Sequence, residues 1–90
     1  MRVKFFATYR GITGVSSLEL PAPADVLALL EELSARYPSL RDKVLTPDGG
    51  NLGPDAIVMV NGRHIVHLKG VATPLTEGDT AAVFPLVAGG

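Results

Sequence analysis

Cysteine and tryptophan are both absent from this chain of 90 residues. Without cysteine the chain forms no disulfide, no thiolate metal site and no cysteine nucleophile. Aromatic residues are also scarce, with three phenylalanines and two tyrosines. Aliphatic side chains must therefore fill most of the core.

Charge of one sign and long apolar runs are missing as well. The net charge is −1, and no basic block or acidic tail is present. We therefore expect no nucleic-acid partner and no membrane partner. No apolar stretch approaches the roughly 20 residues that a membrane-spanning helix needs. Arg2 and Lys4 lead straight into an alternating run, which does not resemble a signal peptide, so a cytoplasmic location is expected.

The chain length suits a single domain over residues 1–90. Residues 2–10 alternate in polarity, which predicts a half-buried strand. Its inward positions are Val3, Phe5, Ala7 and Tyr9. Phe6 breaks the alternation by placing an aromatic ring on the polar face. A turn over 11–14 and a second short strand over 15–20 would complete a hairpin.

Helical periodicity follows the hairpin. Asp25 is a good N-cap, and Pro38 ends the pattern. Apolar residues recur between them at helical spacing: Val26, Leu29, Leu30, Leu33 and Tyr37. This predicts an amphipathic helix of about three turns.

Turn-forming residues dominate 38–55, which predicts a long loop with at most one helical turn near 40–45. Strands are predicted over 56–60, 63–68 and 80–87, and Asn61-Gly62 favours a type I′ hairpin turn. This element order predicts an α+β protein with a β-grasp fold. Its mixed sheet of four to five strands would carry one main helix on one face, with the first and last strands as parallel neighbours.

The end of the chain resembles the small subunit of molybdopterin synthase, a ubiquitin-like sulfur carrier. That family typically shows a Thr-Pro-Leu turn, a Gly-Asp pair and a strand ending Phe-Pro-Pro-Val-x-Gly-Gly. The matching residues here are Thr73-Pro74-Leu75, Gly78-Asp79 and Phe84-Pro85-Leu86-Val87-Ala88-Gly89-Gly90. The segments 5–10 and 60–63 also resemble the family, whereas Leu86 replaces its second proline.

The resemblance implies a carrier that is not an enzyme on its own. A ubiquitin-activating-type enzyme would use ATP to adenylate Gly90, and the adenylate would become a thiocarboxylate. A larger catalytic subunit of molybdopterin synthase would then receive the sulfur. Neither a bound cofactor nor a metal is expected on this chain. Two alternatives stay open: a sulfur carrier for tRNA thiolation or thiamin synthesis, and a protein modifier joined through Gly90 to lysines.

The tail suits this chemistry for physical reasons. An α-carboxyl group is ionised at neutral pH and can attack ATP. Gly89 and Gly90 have no side chain to obstruct a narrow channel in a partner, and Ala88 continues the run of small residues. We expect residues 87–90 to form a flexible tail, with Pro85 limiting fraying just before it.

Specificity is predicted to lie upstream of the tail. If the first and last strands are neighbours, Phe6 and Phe84 share one exposed sheet face. The family docks its enzymes through this face, and the resemblance gives Arg10 acidic groups of the activating enzyme as partners. The predicted partner-binding residues are Phe6, Arg10, Phe84, Pro85, Leu86, Val87 and Ala88. Alternatively, Arg10 is a solvated surface arginine and the 38–55 loop folds over the two aromatics.

Other chemical residues have plainer interpretations. His64 and His67 are three apart on a predicted strand, so they should point to opposite faces and share no metal. The segment 48–53 lacks the lysine and hydroxyl residue of a phosphate loop, so a plain turn is expected. No base is placed to activate a serine or threonine hydroxyl.

Overall fold

The computed structural model describes residues 1–86, so the predicted flexible tail 87–90 lies outside the described residues. Five strands form one sheet in the order β2-β1-β5-β3-β4. They are β1 (Arg2–Phe5), β2 (Ser17–Glu19), β3 (Ala56–Val60), β4 (Arg63–His64) and β5 (Thr80–Pro85). β1 and β5 pair in parallel, and the other neighbours pair antiparallel. The predicted β-grasp fold, with its first and last strands adjacent, is confirmed.

The first strand is shorter than its alternating pattern predicts. β1 ends at Phe5, and the segment predicted as strand and turn instead contains helix α1 (Thr8–Thr13). Ala7 turns the chain with a φ of +53°, and Gly14 caps the helix with a φ of +77°. The predicted burial of Tyr9 is observed, but Tyr9 reaches the core from helix α1 and not from a strand. Ala7 is exposed, so its predicted inward position was wrong.

The main helix lies where the periodicity placed it. Helix α2 (Val26–Arg36) begins after Asp25, whose Oδ1 accepts the Ala28 N–H at 2.8 Å. Four apolar residues on one face are completely buried or nearly so: Val26, Leu29, Leu30 and Leu33. The helix ends directly before Tyr37 and Pro38, as proline sterics require.

The predicted long loop contains a further helix, α3 (Pro38–Val44). Proline suits the first turn of a helix because its missing N–H would be unpaired there. Leu40 and Val44 are buried, so packing against the core stabilises a segment that lacks a long periodic pattern. The remaining loop closes through Thr46 and Asp48, whose side chains hydrogen-bond at 2.6 Å. That bond, with the Gly50 N–H, lowers the pKa of Asp48.

The Asn61-Gly62 turn joins β3 to β4 with φ values of +52° and +82°, which fit the predicted type I′ turn. The strand predicted over 63–68 ends at His64. A 3-10 helix (Ile65–His67) follows, because the Nδ1 atom of His64 accepts the Val66 N–H at 3.1 Å. A second 3-10 helix (Gly70–Ala72) completes this connection.

The core lies between the inner face of the sheet and α2, with α1 and α3 closing its end. Its completely buried large side chains are Val3, Phe5, Val26, Leu29, Leu30, Leu33, Leu40, Val44, Val58 and Val83. Phe5 is the one aromatic among them, so the aliphatic core predicted from composition is observed. β5 ends at Pro85, short of the predicted 87. Among residues 1–86, no helix has the length and apolarity to cross a membrane.

Candidate docking face and exit of the chain

Phe6 and Phe84 form the centre of the candidate site. Their ring centroids are 6.0 Å apart and their planes meet at 86°, an edge-to-face contact. Phe6 is 39% exposed and lies outside the core, and Phe84 is half-buried. The two rings are thus neighbours on the outer face of the sheet, in the arrangement that the sequence analysis expected.

Strand geometry explains this placement. Side chains alternate across a strand, so the burial of Val83 in the core sends Phe84 to the outer face. The Phe6 N–H donates to the Val83 carbonyl at 3.3 Å, which extends the β1–β5 pairing by one residue. Phe6 therefore lies beside β5 just before the chain turns into α1.

Arg10 extends the aromatic pair at its α1 side. Its guanidinium carbon lies 6.0 Å from the centre of the Phe6 ring, within the range of a cation–π contact. Within residues 1–86, Arg10 makes no ion pair with a carboxylate. The guanidinium is exposed and its charge is available to a partner.

An apolar hollow of about 420 Å³ lies on this face. It is lined by Phe6, Ala7, Met59, Ala82, Phe84 and Pro85. The alternative in which the 38–55 segment covers the aromatics is wrong, because α3 packs against α2 and α1 instead. We call the surface formed by Phe6, Arg10, Met59, Ala82 and Phe84 the docking face.

The end of β5 lies next to this face. Pro85 lines the hollow, and Leu86, the last described residue, is 52% exposed. The Leu86 N–H donates to the Asp55 carbonyl at 2.8 Å, so the antiparallel pairing with the β3 side continues one residue past the end of β5. Val87, Ala88, Gly89 and Gly90, which the sequence analysis assigned to the tail, lie outside the described residues.

A second cavity, of about 480 Å³, borders the exit. Tyr9 and Asp55 are among its lining residues, and the Tyr9 hydroxyl donates to the Asp55 carbonyl at 3.4 Å. Burial, with the nearby Asp55 carboxylate, raises the pKa of Tyr9. Sequence reasoning predicted that Tyr9 is buried, but it gave neither residue a place at the exit, since Asp55 belongs to no predicted element.

The two histidines lie together, contrary to the strand-based prediction. Their ring centroids are 6.4 Å apart because Ile65–His67 is helical. The Nδ1 of His64 already accepts a backbone N–H. Across residues 1–86, no group of three or more potential metal ligands occurs.

Comparison with known proteins decides the family. The sequence model of the ThiS family matches residues 3–90, nearly the whole chain. This chain belongs to the ThiS family of ubiquitin-like sulfur carriers. Small archaeal modifier protein 3 of Haloferax volcanii is 39% identical over 92 residues, covering 100% of this chain and 98% of its own length.

Two further similar proteins carry different names. The molybdopterin synthase sulfur carrier subunit of Emericella nidulans is 29% identical, with 99% of this chain and 96% of that protein covered. The solution structure of small archaeal modifier protein 1 from Methanosarcina acetivorans superimposes with a TM-score of 0.86 at 29% identity. That match covers 99% of this chain and 94% of the other.

Proposed function

We propose that this protein carries sulfur as a thiocarboxylate on Gly90 and donates it in molybdopterin synthesis, as the small subunit of molybdopterin synthase. The observation that carries the proposal is the docking face beside the exit of β5. A partner that covers Phe6 and Phe84 also lies next to Leu86, four residues before Gly90. Recognition and delivery of the carboxyl group are thereby combined in one surface.

The proposed chemistry has two steps. A carboxylate oxygen of Gly90 attacks the α-phosphorus of ATP, and diphosphate leaves, which gives an acyl adenylate. A reduced sulfur donor then attacks the acyl carbon, and AMP leaves with the former carboxylate oxygen. The activating enzyme supplies the catalytic groups, so no side chain of this chain needs to change its protonation state.

The docking face would provide specificity in both encounters. Edge-to-face phenylalanines present a rigid apolar surface, and aromatic residues with arginine are typical centres of binding energy. Arg10 would pair with acidic groups of the activating enzyme. The partner's channel into its active site would be occupied by Pro85, Leu86, Val87 and Ala88, both in the activating enzyme and in the large catalytic subunit. Gly89 would lie in its narrowest part.

A molybdopterin role is supported by the residues before the glycines. The Phe84-Pro85-Leu86-Val87 run resembles the end of molybdopterin synthase small subunits. The similarity to the Emericella nidulans carrier subunit over nearly the full length of both chains supports the same role. The alternative is that this protein carries sulfur for tRNA thiolation or for thiamin synthesis.

A second function is favoured by a separate observation. The Haloferax volcanii relative at 39% identity is named a modifier protein. A lysine amine of a target protein could attack the same adenylate, or a thioester derived from it, and form an amide bond to Gly90. Carrier and modifier roles are compatible because they share the activation step.

Mass spectrometry of the intact protein tests the proposal. The chain is incubated with an activating enzyme, ATP and a sulfur donor, and its mass is followed. Exchange of one oxygen for sulfur is expected, and it should require ATP and Gly90. Conjugates of high mass that require Gly90 would support the modifier role. Failure to form either adenylate or thiocarboxylate with any cognate activating enzyme would exclude the carrier role. Conversion of a pterin precursor by a co-purifying large subunit would identify the pathway.

A further inference from the structure

We propose that Tyr9 is a positioning residue for the carboxyl-terminal segment. Its hydroxyl holds the Asp55 carbonyl, and that carbonyl holds the Leu86 N–H from which residues 87–90 extend. The inference deepens the proposed function, on which it rests, by assigning the placement of Leu86, four residues before Gly90, to a residue outside the docking face.

The Asp55 carbonyl accepts two hydrogen bonds. The Leu86 N–H lies 2.8 Å from it and the Tyr9 hydroxyl 3.4 Å. A carbonyl oxygen has two lone pairs, so this pair of donors uses its full capacity. The Asp55 peptide group is thus held mainly by the shorter bond from Leu86, and the longer bond from Tyr9 adds a contact from the side of α1.

Pro85 has no N–H, so the Asp55 carbonyl accepts the last backbone hydrogen bond at the end of β5. The Leu86 N–H donates to the Asp55 carbonyl, and the Asn61 N–H donates to the Thr80 carbonyl. The backbone N–H and C=O groups of the even-numbered residues of β5 therefore point toward β3. The nitrogen of Pro85 then faces the β1 side, where β1 has already ended at Phe5 and no donor is required. Beyond Phe84, the bond from Leu86 to Asp55 is the last backbone hydrogen bond of β5 within residues 1–86.

The Tyr9 hydroxyl is well placed to act as a fixed anchor. The side chain is only 2% exposed, so the core holds the ring while its hydroxyl reaches the surface at the exit. Tyr9 also precedes Arg10 on α1, which links Leu86 to the helix that carries part of the docking face.

Tyr9→Phe removes this hydroxyl and preserves the ring. Tyr37→Phe is the matched control, because Tyr37 packs edge-to-face on Phe5 at 6.0 Å and its hydroxyl makes no hydrogen bond within residues 1–86. Amide hydrogen exchange should show the Leu86 N–H exchanging about two- to tenfold faster in Tyr9→Phe, the range that the loss of one hydrogen bond gives. The Val58 amide should be unchanged, and Tyr37→Phe should leave both amides unchanged.

Thiocarboxylate formation supplies the functional readout. The rate is measured at a fixed concentration of activating enzyme while the concentration of carrier is varied. Tyr9→Phe should lower kcat about threefold or more and leave KM within about twofold, because docking is intact and only the placement of the terminal carboxylate in the active site is impaired. In a Leu86→Pro background, which lacks the amide hydrogen, Tyr9→Phe should lower kcat no further. A purely structural role would accelerate exchange at all core amides and leave kcat unchanged.

The outcomes separate this inference from the proposed function. A wild-type chain that forms no thiocarboxylate contradicts the proposed function, whereas the exchange of Leu86 still reports on the anchor. A wild-type chain that is active, with Tyr9→Phe equal to it in kcat, overturns the positioning role. An unprotected Leu86 amide in the wild-type protein would overturn it equally.

Discussion

Phe84 shows how much one residue's position depends on its neighbours along the strand. Val83 has to enter the core, so Phe84 has to leave it, and this follows from alternation alone. The contact with Phe6 required one further fact, the parallel pairing of β1 with β5. Both facts were predictable from sequence. The hydrogen bond from the Tyr9 hydroxyl to the Asp55 carbonyl was not predictable, because it joins an unpredicted helix to a residue just before a strand.

Phe84→Asp should separate docking from folding. The substitution removes the edge-to-face contact with Phe6 and places in the apolar hollow a charge that a partner must desolvate. The KM of the activating enzyme for this carrier should therefore rise about tenfold or more. Stability should fall by about 1 kcal/mol or less, because the side chain is only half-buried. Adenylation kinetics and thermal melting measure the two effects.

Val66→Asp is the control for that prediction. Val66 is 67% exposed and lies in the 3-10 helix after β4, outside the docking face. It should leave KM unchanged. An equal rise in KM for both variants would show that added negative charge, and not loss of the docking face, causes the effect.

Gly53→Ala should destabilise the fold strongly. A Cβ at Gly53 would lie 2.6 Å from the Lys43 carbonyl oxygen, a backbone atom that cannot rotate away. We expect a loss of about 2–3 kcal/mol and a melting temperature lower by about 10–20 °C.

Gly78→Ala provides the comparison for the glycine clash, because a Cβ there meets no atom within 4 Å. It should change stability by no more than about 0.5 kcal/mol. Two variants with equal melting temperatures would contradict the steric argument.

At the scale of elements, the strong local signals were reliable. Asp25 and Pro38 delimit α2, and Asn61-Gly62 forms the β3–β4 turn. Helix α1 was missed, and α3 was predicted as no more than one helical turn near 40–45. Each of these helices is short and is stabilised by packing more than by its own periodicity. The strand predicted over 63–68 was too long, because the apolar residues after His64 are compatible with a strand and equally with a buried helical turn.

Asp79 links two of these elements. Its carboxylate accepts the Asn61 side-chain N–H and the Thr76 backbone N–H, both at 2.8 Å, and thereby ties the hairpin turn to the start of β5. These hydrogen bonds lower the pKa of Asp79. Asp79→Ala should cost about 1 kcal/mol at neutral pH, after allowance for solvent exposure, or about 4–8 °C in melting temperature.

The pH dependence of that difference has a defined sign. A pKa lowered on folding contributes stability above the ordinary carboxyl value of 3.8 and loses it as pH falls through the native value. The gap in unfolding free energy between wild type and Asp79→Ala should thus be constant near neutral pH and shrink below about pH 4. Asp42→Ala, at a side chain that is 94% exposed, is the control variant and should leave stability at neutral pH almost unchanged. A gap that widened in acid would contradict this account.

For the molecule as a whole, the proposed function assigns docking and chemistry to different parts of the chain. Removal of Gly89 and Gly90 should abolish thiocarboxylate formation, because the reacting carboxylate is displaced from the partner's active site. Affinity for the activating enzyme should stay within about threefold, since the docking face supplies the main contacts. Intact mass and equilibrium binding measure these outcomes.

Melting temperature is the control for the truncation. The core and all five strands lie within residues 1–86, so it should not change. A truncated chain that melts early, or that no longer binds the activating enzyme, would show that fold and docking are not independent of the tail.

Local patterns in the sequence predicted the order of the five strands and the main helix, the β-grasp fold, the aliphatic core and the outward direction of Phe6 and Phe84. Alternation, helical periodicity, caps and turns are local, and they suffice for these features. Three features became visible only in the tertiary structure: Ala7 adopts a φ of +53°, α3 packs beside α2 and leaves the aromatics uncovered, and Tyr9 meets Asp55 near the end of β5. These features depend on contacts between residues far apart in the chain, which no local pattern records.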